Sequence, residues 1–302
     1  MTERTVARRL TGIDQTVAQR PIASTVAGGL CTSASSVFVA LAAVSTGTVA
    51  FYRFLLAVPV LTPLALAESR GRLRGSTFDA TALGAGALLA GDALLWNQAI
   101  TESGAGIATV IVNAQVIIVP LLGWLTLGER PSPLFATTVP VMLAGVALAG
   151  GLAGGATGAD PIHGALLACG AAACYAGFLF LLRQASGAGT AVGTVLAITI
   201  AGALVSAVVA PLWHGLDLGP SAGSLGWIAC VAFSSQVIAY VLIGPGLARL
   251  SPSAGAAVLL IQPVGSVALA AIALGERPSA LQLGGCALVL TAVYAATVAE
   301  RS

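Results

Sequence analysis

The hexapeptide Leu-Gly-Glu-Arg-Pro-Ser occurs twice in this chain, at residues 127–132 and again at residues 274–279. Each copy lies in a short polar gap between two apolar segments that are long enough to cross a bilayer. The copies are 147 residues apart (127 to 274), which is close to half of the 302-residue chain. The chain is therefore predicted to consist of two related halves, and a duplicated membrane domain is a common plan among secondary transporters.

The composition also indicates a membrane protein. The chain is 57% hydrophobic and only 8% charged, and its mean hydropathy is +0.97. A soluble protein of this length needs more charged residues to cover its surface. The 37 glycines fit helices that pack closely in lipid. The net charge is +2 and all 13 basic residues are arginines, so no basic face for nucleic acid is predicted.

Ten segments have about the 20 mainly apolar residues that a spanning helix needs. They are 22–44, 46–66, 80–100, 104–126, 132–152, 161–182, 191–213, 224–246, 253–274 and 280–299. The polar stretch 1–20 has no apolar core followed by a cleavage site, so it is interpreted as a cytoplasmic tail. Residues 21–155 and 156–302 are then predicted to form two five-helix repeats that meet in a glycine-rich stretch.

Because five is odd, the second repeat must enter the membrane from the side opposite to the first. The arginines predict the orientation, since cytoplasmic loops are enriched in basic residues. With the N-terminus inside, only Arg277 falls outside and Arg53 falls within a span. The other arginines are all cytoplasmic: Arg4, Arg8, Arg9, Arg20, Arg70, Arg72, Arg74, Arg130, Arg183, Arg249 and Arg301. An all-α protein of ten transmembrane helices in two inverted repeats, N-in and C-in, is therefore predicted.

The sequence around the two turns resembles the EamA family of the drug/metabolite transporter superfamily. The resemblance rests on LTLGERPSPLFATTVPVMLAGVALAG (125–150), IALGERPSALQLGGCALVLTAVYA (272–295) and the arginine-bearing FYRFLL (51–56). It implies a ten-helix inverted repeat that exports or imports small metabolites, notably amino acids. The proline expected 13 residues before the turn glutamate is Pro263, but the first half has Val116 there and Pro120 one turn later. A kink in the fourth helix is thus expected one turn closer to the cytoplasm.

Arg53 and Asp92 are the two charges placed inside predicted spans. Charged side chains at membrane depth cost about 3 kcal/mol or more, so they normally face a polar interior and have partners. At 1.5 Å per residue, Arg53 and Asp92 lie at similar depths of roughly 10 and 12 Å below the outer surface. Two interpretations stay open: a static ion pair that locks helices two and three, or an Asp92 that contacts a cationic substrate group or exchanges a proton.

Gln115 and Gln262 are separated by the same 147 residues as the turns, so they occupy equivalent positions near the middle of spans four and nine. A glutamine offers two donors and one acceptor to a zwitterionic substrate without a fixed charge. The alternative is hydrogen bonding between helices, which contributes about 0.6–2 kcal/mol in membranes. The sequence leaves open whether the two glutamines line a substrate cavity or form hydrogen bonds between helices.

Polar and aromatic side chains recur at helical spacing in other spans. Asp92 and Trp96 share one face of helix three, and Gln236 and Tyr240 share one face of helix eight; Tyr175 lies in helix six. Such groups suit a pocket that is mainly apolar with a few convergent polar atoms, and the alternative is ordinary packing. The predicted substrate-binding residues are Asp92, Trp96, Gln115, Tyr175, Gln236, Tyr240 and Gln262.

The repeated turn is interpreted as structural, with Glu129, Arg130, Glu276 and Arg277 as turn residues. Glycine suits the end of one helix, and proline and serine suit the start of the next. The five cysteines form no CxxC pair. No metal cluster, catalytic set or phosphate-binding loop is predicted, so neither a cofactor nor ATP is expected.

These observations predict a secondary transporter of the inner membrane that moves a small metabolite by alternating access. The direction of export is implied by the resemblance alone. Its expected partners are the substrate and the bilayer, and the protein is expected to be a monomer or a homodimer. The sequence leaves open whether transport is coupled to protons through Asp92 or is uniport. A non-transporting scaffold or sensor would not need mirrored polar residues in mid-span. An intramembrane enzyme would need clustered acids, histidines or a nucleophile with its base, and only Asp92 qualifies.

Overall fold

The protein is described here by a computed structural model that covers residues 19–69, 78–103, 105–150, 160–188, 190–213, 215–273, 275 and 277–299. The first repeat contains α1 Pro21–Ala42, α2 Thr46–Glu68, α3 Ala80–Ser103, α4 Ala105–Val112, α5 Gln115–Leu127 and α6 Pro133–Ala149. The second contains α7 Pro161–Ala188, α8 Ala191–Trp213, α9 Ala222–Val231, a π-helical segment Ala232–Ala239, α10 Tyr240–Leu247, α11 Pro252–Val258, α12 Ile261–Ala273 and α13 Ala280–Ala299. These elements, which make up most of the described residues, are all helical.

Eight of the helical stretches are long and apolar enough to cross a membrane. Two predicted spans fall outside this set. Segment 132–152 forms α6, which is apolar but has only 17 residues. Segment 80–100 lies within the 24-residue α3, which Asp92, Asn97 and Gln98 make more polar. The chain is thus a multi-pass membrane protein, while the count of ten spans and the orientation stay predictions.

Large apolar side chains cover much of the outer surface of the helices. The most exposed include Leu212 (84%), Ile272 (81%) and Ile162 (78%). Such a surface would be unfavourable in water, because each exposed leucine or isoleucine side chain would lack the stabilisation of about 1.5–3 kcal/mol that burial provides. A hydrocarbon environment removes that cost, so this exterior fits lipid contact.

Spans four and nine each contain a short break in the helix. The first break separates α4 from α5 just before Gln115, and the second separates α11 from α12 just before Gln262. At each break the backbone hydrogen bonds shorten to three residues, from Val116 N–H to the Asn113 carbonyl and from Gln262 N–H to the Leu259 carbonyl. Each of these stretches, Ile107–Leu127 and Pro252–Ala273, is still long and apolar enough to cross a membrane, so the two predicted spans agree with the structure.

The two breaks have different local causes. In span nine, Pro263 has no N–H, so the regular bond to the Leu259 carbonyl cannot form. In span four, the Asn113 side chain and its own N–H share the Thr109 carbonyl, at 2.7 and 3.2 Å, and such side-chain bonds compete with the helical ladder. Pro120 lies inside α5 without ending it, so a kink at this turn stays a prediction.

The chain forms two compact units, and each takes part of both repeats. The first unit comprises Met1–Ala90 and Leu181–Leu250, and the second comprises Gly91–Phe180 and Ser251–Ser302. The predicted repeat boundary at 155/156 lies outside the described residues. Packing therefore groups helices from different repeats, and the repeat boundary does not divide the units.

In the first unit, α2 packs along α8, its equivalent in the other repeat. Near one end, the Glu68 carboxylate accepts hydrogen bonds from the Val192 and Gly193 N–H groups at 3.0 and 3.2 Å. Near the other end, the Thr48 hydroxyl accepts from the Asp217 N–H at 2.9 Å. The start of each helix thus lies beside the end of the other, so the pair is antiparallel. This is the arrangement that inverted repeats produce.

In the second unit, α6 packs along α13, which is again its equivalent. A Cβ placed on Gly285 would meet the Ala149 nitrogen at 2.5 Å and the Gly145 carbonyl oxygen at 2.6 Å. A Cβ on Gly145 would meet the Val289 side chain at 2.8 Å. The contacts run in opposite directions along the two helices, so this pair is also antiparallel. Small residues allow the close approach that drives helix association in lipid.

The two copies of the repeated turn have the same backbone conformation at their glycines. Gly128 and Gly275 have φ values of +71° and +68°, which favour glycine. Ser132 then caps α6 by accepting from the Phe135 N–H, and Ser279 accepts from the Gln282 N–H. The turn roles of Glu129, Arg130 and Arg277 stay predictions, and Glu276 lies outside the described residues.

Candidate functional site

Arg53 of α2 lies in the first unit against the π-helical segment. Its Nη2 donates to Ser235 Oγ and to Gln236 Oε1, both at 3.4 Å. The guanidinium also lies 5.4 Å from the centroid of the Phe54 ring, within the range of a cation–π contact. The sequence prediction did not include Ser235, although the run Ser234-Ser235-Gln236 inside an apolar span was a visible signal.

The oxygen atoms that face Arg53 are held by a second layer of hydrogen bonds. Gln236 Nε2 donates to Thr199 Oγ1 of α8 at 3.0 Å, and Thr199 in turn donates to the Val195 carbonyl. Ser235 donates to the Val231 carbonyl at 2.8 Å. Because Gln236 and Thr199 are fully buried, their orientation is fixed by these bonds.

The π-helical segment changes the predicted relation between Gln236 and Tyr240. A spacing of four residues aligns side chains on an α-helix, but Gln236 lies in the π-helical turn and Tyr240 begins α10. Both side chains are buried. π-Helical turns inside α-helices occur frequently at functional sites. Whether Gln236 and Tyr240 contact substrate stays a prediction.

Tyr175 of α7 and Gln262 of α12 form a side-chain pair in the second unit. Gln262 Nε2 donates to the Tyr175 hydroxyl at 2.9 Å, and Gln262 Oε1 lies 3.3 Å from the same hydroxyl. The Tyr175 ring stacks on Phe178 with centroids 6.0 Å apart. Both Tyr175 and Gln262 are half-buried, so neither side chain is fully enclosed by the protein. The structure thus brings together two of the predicted substrate-binding residues.

Gln115, the equivalent of Gln262, has different contacts. Its Nε2 donates to the Ala256 carbonyl of α11 at 3.3 Å, and its side chain is almost fully buried. The Leu260 N–H, which would reach Ala256 in a regular helix, donates instead to the Ala257 carbonyl. Gln115 therefore binds a carbonyl that the break in span nine releases. Its Oε1 has no hydrogen-bond partner among the described residues.

Asp92 and Trp96 of α3 also lie in the second unit. A Cβ on the neighbouring Gly91 would meet Cys174 Sγ of α7 at 3.2 Å, so the backbone of α3 approaches α7 closely beside Asp92. Trp96 packs against the apolar cluster that includes Ala99 and Leu167. The Trp96 Nε1 is buried without a hydrogen-bond partner in the described part of the chain. A buried indole donor usually has one.

Five of the seven predicted substrate-binding residues belong to the second unit, and Gln236 and Tyr240 belong to the first. The predicted pairing of Arg53 with Asp92 joins residues of different units and stays a prediction. At the end of α3, the Glu102 carboxylate contacts the imidazole of His163 in the first turn of α7. Across the described ranges, no group of three or more acidic, histidine or cysteine side chains could hold a metal ion.

Comparison with known proteins identifies the family. The sequence profile of the EamA-like transporter family matches residues 20–151 and, a second time, residues 162–298. The chain belongs to the EamA-like transporter family. This EamA-like chain is therefore a membrane transporter of the drug/metabolite type. The two matched ranges correspond to the two halves of the chain, and each half contains one copy of the repeated turn.

A search of curated protein sequences finds no match to this chain. Among solved structures, 28 chains match. One of them, described as a crystal structure of a protein, has 19% sequence identity to this chain and a TM-score of 0.78. The alignment covers 94% of this chain and 98% of that chain. At this identity the likeness shows a shared fold and carries no information about the substrate.

Proposed function

We propose that this chain is a ten-span secondary transporter of the inner membrane that exports small metabolites, such as amino acids or related amphipathic compounds. The observation that carries the proposal is the pair of breaks in the equivalent spans four and nine, which end at Ala114 and Leu260, close to Gln115 and Gln262. Inverted-repeat transporters typically bind substrate where such discontinuous helices place polar groups in the membrane. A scaffold would gain nothing from two broken helices at mirrored positions.

Substrate recognition is proposed to use Tyr175, Gln262, Asp92 and Trp96. The hydrogen bond between Tyr175 and Gln262 can be exchanged for bonds to a solute, since each group has both donor and acceptor capacity. The indole N–H of Trp96 can donate to a polar atom of the same solute. Asp92 supplies a negative charge for an amine or carries a proton, and alternation between inward-open and outward-open states would move the solute.

The experiment that tests this proposal is transport in proteoliposomes. A panel of labelled amino acids and related metabolites would be followed with and without an imposed pH gradient, for wild type and Asp92→Asn. We expect wild type to move at least one solute and the gradient to accelerate it. Asp92→Asn is expected to lose this acceleration, because an amide cannot take up and release a proton at these pH values. Transport that continues without the acceleration would assign Asp92 the proton role, and loss of transport with and without the gradient would assign it the amine contact.

The matched control is Asp217→Asn, which changes an exposed loop carboxylate that accepts only from the Gly219 N–H among its described hydrogen bonds. This variant should behave as wild type. An equal gradient response in Asp92→Asn and wild type would assign Asp92 a structural role. A wild type that moves no member of the panel would contradict the proposed substrate class.

The proposed topology is testable at the two repeated turns. Arg130 and Arg277 are exposed and equivalent, so inversion places them on opposite sides of the membrane. In a cysteine-free background, Arg130→Cys should react with a membrane-impermeant maleimide only after the cells are opened, and Arg277→Cys should react in intact cells. Labelling of both from the same side would contradict the inverted arrangement.

A further inference from the structure

The Arg53 guanidinium has donor groups that the first unit does not use. A guanidinium has five N–H donors on three nitrogens, and the two hydrogen bonds of Arg53 in this unit both come from Nη2. The Nε atom is buried and has no hydrogen-bond partner among the described residues. The Nη1 atom also has no hydrogen bond among the described residues and, unlike Nε, it is not fully enclosed, so it is a donor that a solute can reach.

The two contacts that Arg53 does make are long and neutral. At 3.4 Å, both exceed the usual 2.7–2.9 Å of a hydrogen bond between a cationic nitrogen and a carboxylate. Ser235 and Gln236 are fixed from behind by Val231 and Thr199, so they cannot move towards the guanidinium without losing those bonds. They therefore orient Arg53 and leave it able to form stronger bonds with another group.

The position of the guanidinium is also supported by packing. Phe54, whose ring lies beside the guanidinium, is fully buried. Its ring edge occupies the space that Gly202 of α8 leaves open, because a Cβ there would meet the ring at 2.8 Å. The ring, the two fixed oxygens and the backbone of α2 thus hold Arg53 in place. A pre-positioned guanidinium loses little conformational freedom when it binds an anion.

We propose that Arg53 binds the carboxylate of the transported solute, with Nη1 and Nη2 donating to its two oxygens. The planar fork of arginine matches a carboxylate in this bidentate geometry. Ser235 and Gln236 are the positioning residues of this site. The inference rests on the proposed transport function and adds to it that the solute carries a carboxylate, recognised by the first unit.

The test compares acids with their amides on purified protein in detergent. The melting temperature would be measured with leucine and leucinamide, phenylalanine and phenylalaninamide, and threonine and threoninamide. We expect at least one acid to raise the melting temperature of wild type by about 2–4 °C at roughly tenfold above its Kd, and its amide to have less than a third of that effect. Sodium chloride and sodium phosphate at the same ionic strength should give no shift.

Three variants separate recognition from folding. Arg53→Gln should lose the shift, Arg53→Lys should retain only a small part because it keeps the charge without the fork, and Ser235→Ala should weaken it. Arg130→Gln, which removes the charge of an exposed turn arginine, is the matched control and should keep the full shift. If Arg53→Gln does not fold, Ser235→Ala and the difference between acid and amide on wild type decide the matter.

Several results would overturn the proposal. They are equal shifts with acid and amide, a full shift in Arg53→Gln, the same shift with chloride or phosphate, which would indicate an inorganic anion site, or no shift of wild type with any of the acids. Proteoliposomes that move an amine lacking a carboxylate would refute this inference and leave the proposed transport function intact. Loss of all transport would instead refute the proposed function.

Discussion

Gly285→Ala is expected to lower the free energy of unfolding by about 1–3 kcal/mol. The new methyl group would lie 2.5 Å from the Ala149 nitrogen and 2.6 Å from the Gly145 carbonyl oxygen. Both atoms belong to the backbone of α6, so they cannot turn away as a flexible side chain could. Helices α6 and α13 would have to move apart, and the close packing of these two equivalent helices would be lost. The measurement is the melting temperature in detergent or an SDS titration.

The neighbouring glycine provides the control. A Cβ on Gly284 meets nothing within 4 Å, so Gly284→Ala adds no clash and gains up to about 1 kcal/mol of helix propensity. The two variants differ by one position in the same helix and add the same atoms. Equal stabilities for Gly285→Ala and Gly284→Ala would show that the helices are not packed as closely as the structure places them.

The sequence predicts the helical segments well because spans depend on length and apolar composition. The duplicated turn also predicts the two repeats, since glycine and serine recur at the ends of equivalent helices. The family, predicted from those turns and the FYRFLL stretch, was confirmed by the double match of the family profile. These features depend on local sequence, and a single chain contains all the information they require.

The breaks in spans four and nine were harder to predict. Pro263 was a visible signal in span nine, but the same pattern is absent from span four. There Pro120 is tolerated inside α5, and the break occurs at Asn113. The asparagine acts through a side-chain bond to the backbone, which depends on its rotamer as well as on its identity. Residue spacing alone therefore did not indicate the break at Asn113.

The candidate site was predicted in part. Arg53, Gln236, Tyr175 and Gln262 were identified because polar residues in apolar spans are conspicuous. Their actual partners were not, since pairing depends on how helices distant in the sequence approach each other. Thr199 was missed for the same reason, because threonine is common in spans and only its bond to Gln236 distinguishes it.

Gln262→Leu and Gln115→Leu are expected to have different effects although the two residues are equivalent in sequence. Gln262→Leu removes a half-buried amide that pairs with the Tyr175 hydroxyl. We expect initial transport rates at least about tenfold lower, because the loss of about 1.4 kcal/mol of interaction with the solute corresponds to one factor of ten, while the melting temperature changes little. Tyr175→Phe should lower transport in the same way.

Gln115→Leu is expected to act on stability instead. It removes the donor for the Ala256 carbonyl, which the break in span nine leaves without its regular partner, and an unsatisfied buried carbonyl costs about 1–3 kcal/mol. Transport per folded molecule should fall by less than about threefold, as read from rates normalised to folded protein together with melting temperatures in detergent. If both variants lost transport equally, the two glutamines would have the same role, and the asymmetry in their hydrogen bonds would have no functional meaning.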